Sequence, residues 1–190
     1  MTPLDPLACA VFLLVAFTLA GVAQTAWFAS PISRACALPL DGGVRLRGRR
    51  LFGANKTVRG FVVMVPAAAV AFTLLGLIAS GQPGIWRLHP PSYALLGAWA
   101  AIGFMAGELP NSFIKRQLDI PPGDAPRSRT WTAVQFLGDR LDSGIGMLLS
   151  VSVAVPTPAL TWVYVLVIGP VIHWTFSLVL FRLGLKGRAA

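Results

Sequence analysis

Five long apolar segments constrain this chain more than any other feature of its sequence. They cover about residues 7–28, 61–80, 92–109, 141–158 and 161–181. A helix needs roughly 20 apolar residues to cross a bilayer. The chain is 55% hydrophobic and only 12% charged, with a mean hydropathy of +0.70, whereas soluble domains carry about 25% charged residues. The sequence therefore predicts an all-α, polytopic integral membrane protein with about five transmembrane helices.

The basic residues are distributed unevenly around these segments. All Lys and Arg residues except Arg87 lie in 29–60, in 110–140 or in the C-terminal tail. Five spans put these three regions on one face of the membrane, and the positive-inside rule makes that face cytoplasmic. We therefore predict a multi-pass protein of the cell membrane with its N-terminus outside, two cytosolic active-site loops and a cytoplasmic C-terminus. The sequence has no repeat, so residues 1–190 are expected to form a single domain.

The formal net charge of +9 also indicates what the chain binds. Its basic residues belong to membrane-adjacent loops, and no recognition helix or base-stacking sheet is predicted to present them. Nucleic acid is therefore not an expected partner, whereas the anionic headgroups of membrane lipids are. Cys9 falls in the first span and Cys36 in a reducing cytosolic loop, so neither a disulfide nor a metal site is indicated for them.

The first cytosolic loop contains two glycine-rich motifs. Residues 39–43 read Pro-Leu-Asp-Gly-Gly, which is a turn signal, and residues 53–60 read Gly-Ala-Asn-Lys-Thr-Val-Arg-Gly. The second motif lacks the Walker spacing and the preceding strand of a nucleoside triphosphatase. Two interpretations remain. The segment is either a positively charged turn or a flexible loop in which Lys56, Arg59 and backbone amides meet phosphate.

The second loop begins at the end of the third apolar segment. Residues 107–116 read Gly-Glu-Leu-Pro-Asn-Ser-Phe-Ile-Lys-Arg. An unpaired Glu at this depth is costly, so Glu108 should face a polar cavity, a metal ion or a basic partner. Pro110 is expected to disturb the helix there and to free backbone groups. Lys115 and Arg116 mark either a stop signal at the membrane interface or part of the same site.

Two acidic residues, Asp139 and Asp142, stand where the second loop enters the fourth apolar segment. Their i, i+3 spacing places both carboxylates on one face of a helix. Together with Glu108 they can hold one or two Mg²⁺ ions beside substrate phosphates, because Mg²⁺ prefers oxygen ligands. Positive charge for those phosphates is available from five side chains, namely Lys56, Arg59, Lys115, Arg116 and Arg140.

These groups suit phosphoryl or nucleotidyl transfer, which depends mainly on alignment and charge neutralisation. The membrane setting indicates a lipid as the second substrate. The inferred reaction is attack by a lipid phosphate on the α-phosphorus of a nucleoside triphosphate, with release of pyrophosphate. A phosphate monoester is already an adequate nucleophile at neutral pH, so no dedicated His or Ser base is required.

Four motifs, taken in order, resemble the CDP-archaeol synthase family, whose members are membrane cytidylyltransferases related to phosphatidate cytidylyltransferase. The motifs are residues 39–43, 53–60, 107–116 and 139–143. The resemblance implies CTP as cosubstrate, Mg²⁺ as cofactor and a phosphorylated glycerolipid as acceptor. Glu108 stands where the family usually has Asp. Phosphatidate and an archaeal-type ether lipid phosphate both stay open as acceptors.

The same resemblance implies roles for individual residues. It places the nucleotide against residues 56–60 and the metal ion against Asp139 and Asp142, with Glu108 as a third ligand from its position in the sequence. Catalytic roles fall to Lys56, Lys115, Arg116, Asp139 and Asp142. Substrate contacts fall to Asp41, Asn55, Thr57, Arg59, Ser112 and Arg140.

Two alternatives to this function stay open. A CTP-dependent lipid kinase of similar architecture would act on a free hydroxyl and would release CDP. A non-catalytic protein that binds anionic lipids would account for the spans and the basic loops, but not for three carboxylates on one face of the membrane. The sequence does not decide the oligomeric state, and a homodimer is left open.

Overall fold

Five long α-helices make up most of the chain in the computed structural model, which describes residues 3–121 and 129–182. The helices are α1 (Pro6–Ala29), α2 (Val58–Ile78), α3 (Pro90–Gln117), α4 (Arg129–Ala154) and α5 (Ala159–Arg182). Asp5 caps α1, because its Oδ1 accepts hydrogen bonds from the backbone N–H of Leu7 at 2.7 Å and of Ala8 at 3.1 Å. The predicted all-α fold class is confirmed.

Within the described residues, four of these helices are long and apolar enough to cross a membrane, judged by length and composition. They are α1, α2, α3 and α5. The exception, α4, carries Asp139, Arg140 and Asp142 in its middle, although its last part from Gly144 to Ala154 has no charged residue. Its role as the fifth span stays a prediction.

The second predicted loop, 110–140, is largely helical, so this part of the prediction is wrong. The α3 helix continues past Pro110 to Gln117, and α4 already begins at Arg129; residues 122–128 lie outside the described part of the chain. A proline removes one backbone hydrogen bond and crowds the preceding turn, but packing of α3 against both α2 and α4 keeps it continuous. The helix does not end at Pro110, and a local disturbance there stays a prediction. The acidic and basic motifs stand on two helices instead of on flexible loops.

The helices pack in a closed order. The α1 helix contacts α2 and α5, α3 contacts α2 and α4, and α4 contacts α5. Where α1 begins, the ring centroid of Phe12 lies 5.2 Å from that of Phe72, 6.0 Å from that of Trp86 and 5.7 Å from that of Tyr93. Such aromatic contacts add to the burial of apolar area. This aromatic cluster fills one end of the bundle, and the polar residues gather toward the other.

Glycines bring α3 and α4 into backbone contact beside the acidic residues. Gly103 and Gly107, spaced i, i+4 on α3, face Gly146 of α4. A Cβ on Gly107 would overlap the carbonyl oxygen of Asp142 and would lie only 3.1 Å from the Cα of Gly146. Small residues at this spacing are typical of closely packed helices in membranes. Because Glu108 directly follows Gly107, the contact brings its carboxylate to α4.

The segment between α1 and α2 is ordered and lies against the polar end of α3. It contains three short elements, namely a 3₁₀ helix (Pro31–Cys36), β1 (Arg45–Leu46) and β2 (Arg49–Arg50), with the two strands paired antiparallel. Arg49 forms an ion pair with Asp119 and donates a hydrogen bond to the carbonyl oxygen of Gln117. The first predicted loop is thereby attached to the helix that carries Glu108.

Candidate active site

One face of α3 and one face of α4 carry the polar residues of the site. The residues on α3 recur at i, i+3, i+4 and i+7, which places them on one side of a helix. They are Glu108, Asn111, Ser112 and Lys115. Those on α4 follow the same spacing and are Asp139, Asp142 and Ser143.

Two neutral side chains link the three predicted carboxylates into one cluster. The Nδ2 atom of Asn111 donates to Asp139 Oδ1 at 2.6 Å and to Asp142 Oδ2 at 2.9 Å. The Oγ atom of Ser143 donates to Glu108 Oε1 at 2.8 Å and lies 3.3 Å from Asp142 Oδ1. The structure thus brings Glu108, Asp139 and Asp142 together, and we call them the carboxylate cluster.

A lysine pairs with the carboxylate cluster on each side. Lys56 from the first loop forms an ion pair with Glu108, and Lys115 from α3 forms one with Asp139. The side chains of Lys56 and Lys115 are 22% and 16% exposed, so both lysines are largely enclosed. Ion pairs that still reach solvent contribute little net stability. These two pairs can therefore exchange partners when another anion or cation arrives.

Whether a divalent metal ion suits this cluster depends on the oxygen atoms that the three carboxylates offer. Across residues 3–121 and 129–182, no three acidic, His or Cys side chains already form a metal-binding group. The three carboxylates are held instead by lysine, asparagine and serine partners. Carboxylate oxygens that can turn toward substrate phosphates nevertheless suit Mg²⁺, which commonly combines one or two carboxylates with phosphate oxygens and water. Mg²⁺ binding by Glu108, Asp139 and Asp142 stays a prediction.

Asp41 organises the glycine-rich loop from a buried position. Its side chain is 0% exposed and pairs with Arg50, and its Oδ2 accepts hydrogen bonds from the backbone N–H of Phe52 at 3.2 Å and of Gly53 at 3.1 Å. Burial alone raises the pKa of a carboxyl group, but Arg50 and the backbone donors outweigh burial and leave the pKa of Asp41 below its ordinary value. All these contacts are internal. They hold the loop in its fold, and substrate contact by Asp41 stays a prediction.

The Asp41→Asn variant is expected to lower the free energy of unfolding by about 1–3 kcal/mol, because buried donors lose a charged acceptor. A carboxyl group whose folded-state pKa is depressed stabilises the fold above its unfolded pKa of about 3.9 and loses that effect as the pH falls below it. The stability difference between the native protein and the variant should therefore be constant from about pH 5 to 8 and shrink below about pH 4. Unfolding in detergent across this pH series measures it.

Asp119→Asn is the matched control for this series, because the Asp119 side chain is 66% exposed in its ion pair with Arg49. It should change stability by less than about 1 kcal/mol. A deficit in Asp41→Asn that grew as the pH fell below 4 would contradict the role given to Asp41.

Backbone pairing holds Lys56 in place. The N–H of Leu40 donates to the carbonyl of Lys56 at 2.8 Å, and the N–H of Val58 donates to the carbonyl of Leu38 at 2.9 Å. Gly53, at the start of this turn, has a φ of +92°, a conformation that glycine adopts without steric cost. The loop therefore presents Lys56 to the carboxylate cluster from an ordered backbone.

Arg116 lies beneath the same turn. A Cβ on Gly53 would be 3.0 Å from Arg116 Nε, so the loop backbone lies directly against the guanidinium group. The Nη1 atom donates to the carbonyl of Ile120, whereas the buried Nε has no hydrogen-bond partner among the described residues. Buried donors are nearly always paired. An anion bound between the turn and α3 would supply the acceptor, which supports the predicted phosphate-binding role of Arg116.

The positions of the other predicted substrate residues give less direct support for contact with a substrate. Asn55 is exposed in the loop, and Thr57 precedes α2 without its side chain capping that helix. The Arg59 guanidinium lies 4.6 Å from the centroid of the Phe28 ring and so packs against α1. Ser112 is buried on the polar face of α3. Substrate contact by these four candidates stays a prediction.

A cavity of about 270 Å³ lies beside the carboxylate cluster, mainly between α1, α3, α4 and α5. Four charged or titratable residues line it, namely Glu108, Asp139, Arg140 and His173. Most of its remaining wall is apolar, and typical members are Leu13, Phe17, Phe104, Met147 and Leu166. The size approaches the range of about 300–1,000 Å³ usual for small-molecule sites. Arg140 is thereby placed between the cluster and an apolar space.

Sequence reasoning assigned no role to Asn111 and Ser143, the two side chains that link the carboxylates. The signal that could have identified these two residues is their spacing along the sequence. Asn111 lies three residues after Glu108 and four before Lys115, and Ser143 lies four residues after Asp139. This is the period of one helical face. This helical period was not recognised in the sequence, because a loop was predicted over residues 110–140.

The fold and the site together define a class of protein. It is a polytopic membrane protein in which enclosed lysine and arginine side chains surround clustered carboxylates at the end of an apolar cavity. Such a site suits a phosphate-bearing substrate, because ionised groups of both signs can neutralise phosphates and a metal ion.

Comparison with known proteins identifies the family within this class. The CarS-like family, described as CDP-archaeol synthase, matches residues 10–189. The CDP-archaeol synthase of Pyrococcus abyssi is 32% identical over 167 residues, which cover 85% of this chain and 90% of that protein. The CDP-archaeol synthase of Halorubrum lacusprofundi is 35% identical over 157 residues, which cover 78% of this chain and 81% of that protein.

A solved structure is also similar to this fold. It is described as an intramembrane enzyme for archaeal membrane lipids biosynthesis. It matches with a TM-score of 0.58 at 25% sequence identity, and the match covers 83% of this chain and 90% of that chain. The likeness agrees with the polytopic membrane fold predicted from sequence.

The chain therefore belongs to the CDP-archaeol synthase family. This confirms the resemblance carried by the four motifs.

Proposed function

We propose that this chain is a Mg²⁺-dependent cytidylyltransferase that transfers CMP from CTP to a phosphorylated glycerolipid, giving a CDP-lipid and pyrophosphate. Family membership supports the cytidylyltransferase class and gives no support to the alternatives. The observation that carries the proposal is the carboxylate cluster, which is bracketed by Lys56 and Lys115 and opens onto an apolar cavity.

The two substrates have separate approaches to the cluster. The turn that holds Lys56 and the enclosed Arg116 suit a triphosphate, because both side chains donate charge-assisted hydrogen bonds to phosphate oxygens. The cavity lined by Arg140 suits a lipid whose phosphate lies at the polar end and whose chain lies along the apolar wall. The acceptor phosphate and the α-phosphate of CTP would then meet beside the carboxylates.

Binding of CTP would replace the ion pairs that Lys56 and Lys115 form with the carboxylate cluster. The triphosphate attracts Lys56 away from Glu108 and Lys115 away from Asp139, which leaves the carboxylates available as metal ligands. Glu108, Asp139 and Asp142 would hold Mg²⁺ there, and the ion would supply positive charge for the phosphates. Breaking the two ion pairs costs little free energy, because all four paired side chains retain some contact with solvent.

The bond changes are those of nucleotidyl transfer. An oxygen of the acceptor phosphate attacks the α-phosphorus of CTP, and a new phosphorus–oxygen bond forms. The bond from the α-phosphorus to the oxygen bridging it to the β-phosphorus breaks, and pyrophosphate leaves. Lys56, Lys115 and Arg116 stabilise the charge that shifts toward the leaving group. A phosphate monoester with a second pKa of about 6 is already ionised at neutral pH, so no side chain has to remove a proton.

The competing functions predict a different site. A lipid kinase would act on a lipid hydroxyl, and the family matches give that reaction no support. A non-catalytic protein that binds anionic lipids does not require carboxylates beside the lipid headgroups. The combination of a carboxylate cluster with enclosed cations favours transfer from a metal-bound nucleotide.

We also propose that the carboxylate cluster faces the cytoplasm and that the N-terminus lies outside. The paired strands β1 and β2 lie together with the start of α2 and the end of α3. These segments carry most of the basic residues of the described chain. The positive-inside rule then assigns this end to the cytoplasm, where CTP is available. The homodimer left open by the sequence stays a prediction.

Turnover by the purified protein tests this function. CTP and Mg²⁺ are supplied with either phosphatidate or an unsaturated isoprenoid ether lipid phosphate, and the products are identified by mass. We expect a CDP-lipid and pyrophosphate with at least one acceptor, loss of activity in excess chelator, and recovery on adding Mg²⁺. Absence of a CDP-lipid with both acceptors, from folded protein, would contradict the proposed substrate class. Full activity in chelator would contradict the metal assignment.

A further inference from the structure

The cavity beside the carboxylate cluster is a long apolar channel. Along α1 its lining extends from Leu13 to Thr25, a distance of about 18 Å at a rise of 1.5 Å per residue. The hydrocarbon core of a bilayer is about 30 Å thick, so the channel is long enough to follow a lipid chain through about half of that depth. Its volume of about 270 Å³ encloses only part of a lipid, and the rest of the molecule would remain in the bilayer.

Two glycines keep this channel wide. Gly21 of α1 and Gly169 of α5 both line it. Among the described residues, a Cβ on Gly21 would meet no heavy atom within 4 Å, and a Cβ on Gly169 would meet only the Cδ2 atom of Leu14 at 3.9 Å. Gly107, by contrast, has the backbone of α4 directly against it. The space beside Gly21 and Gly169 therefore belongs to the channel and is not used for helix packing.

We propose that the channel holds the part of an acceptor chain nearest the lipid phosphate, and that Gly21 and Gly169 set the width it admits. The inference rests on the proposed transfer to a lipid phosphate and adds the residues that select the chain. Arg140 and Asp139 line the polar end of the same channel, so a chain lying in it delivers its phosphate to the carboxylate cluster. The continuity of apolar wall and charged end identifies the occupant as an amphiphile with a phosphate head.

The α5 helix lines the channel on one face and exposes an apolar surface on the other. Only 11% of its apolar window is buried, against 28–33% for the other three candidate spans. Val163, Val167 and Val171 are 53%, 64% and 60% exposed, so this surface would contact lipid tails.

Filling the channel from either side tests the inference. Gly21→Leu and Gly169→Leu place an isobutyl group in the open space, and leucine favours helix more than glycine does. Val22→Leu and Val167→Leu are the matched controls, because these neighbouring residues are 52% and 64% exposed on the outer surface. Each variant is assayed with dihexanoyl and dioleoyl phosphatidate, or with short and long ether lipid phosphates if that class is the one accepted.

We expect both glycine variants to raise the KM for the long-chain acceptor by about tenfold or more. The KM for CTP should stay within about twofold in both glycine variants. The kcat/KM for the short-chain acceptor should do so in Gly169→Leu, because Gly169 lies beside Leu14 at the end of the channel far from the phosphate, and both controls should match the native protein. An unchanged KM for the long-chain acceptor would overturn the inference and leave the proposed function standing. Equal losses with short and long acceptors in Gly169→Leu would also overturn it, since they indicate a structural effect. Native protein that turned over neither acceptor would overturn the proposed function itself.

Discussion

Asp142→Asn is expected to reduce CDP-lipid formation by about 100-fold or more while the protein still inserts and folds. Asp142 lies at the centre of the carboxylate cluster, where its two oxygens contact Asn111 and the backbone N–H of Ser143. An amide of the same shape keeps most of these contacts but removes the charge that a Mg²⁺ ligand requires. Asp139→Asn should act in the same direction. Turnover of CTP by purified variants, normalised to folded protein, measures both.

Asp119→Asn is the control for this pair, because Asp119 carries the same charge near the end of α3 but pairs with Arg49 of the hairpin. It should retain activity within about threefold, as expected for an exposed ion pair. Retained turnover in both Asp142→Asn and Asp139→Asn would contradict the metal assignment. Size-exclusion chromatography and thermal unfolding of each variant in detergent would separate loss of folding from loss of chemistry.

Gly107→Val is expected to abolish turnover and to lower thermal stability. The first atom of any side chain on Gly107 overlaps the carbonyl oxygen of Asp142 on α4, and a backbone atom cannot move aside as a side-chain end can. Overpacking of a well-packed contact costs about 1–3 kcal/mol. The helices must separate, so Glu108 moves away from Ser143 and the cluster opens. Thermal unfolding and CTP turnover, measured on the same preparation, report the two effects.

The matched control for Gly107→Val is Leu95→Val, a change on the outer surface of the same helix where the side chain is 72% exposed. It should leave stability and turnover close to native. Gly107→Ala is expected to be intermediate, because it adds only the first of the overlapping atoms. Native turnover in Gly107→Val would show that α3 and α4 do not need this contact to assemble the cluster.

The helices could be predicted from the sequence because each apolar segment is long enough to cross a bilayer by itself. The pairing of Asp139 with Asp142 on one helical face was predictable for a similar reason, since it depends only on the helical period. The continuation of α3 through Pro110 was not, because it depends on packing against α2 and α4 that no local pattern reveals. Hydropathy marks the apolar part of a helix and leaves its polar extension looking like a loop.

The roles of single residues depended on contacts between distant parts of the chain. Lys56 and Glu108 are 52 positions apart, and only the folded loop brings them into an ion pair. Asp41 was predicted to lie in a turn, but its hydrogen bonds to Arg50 and to the backbone donors of residues 52 and 53 depend on the folded loop. The cavity likewise combines side chains of several helices, so no sequence motif describes it.

The position of the phosphorus that is transferred distinguishes transfer of CMP from transfer of the γ-phosphoryl group, and it is the most direct test of the proposed reaction. Purified protein is given Mg²⁺, a lipid phosphate that it accepts and CTP labelled in either its α- or its γ-phosphate, and the lipid product is separated from the nucleotides. Transfer of CMP predicts that the α-label enters the lipid, while the γ-label appears in pyrophosphate. A lipid that carries the γ-label, with CDP as the other product, would contradict it and would show that the chain is a kinase.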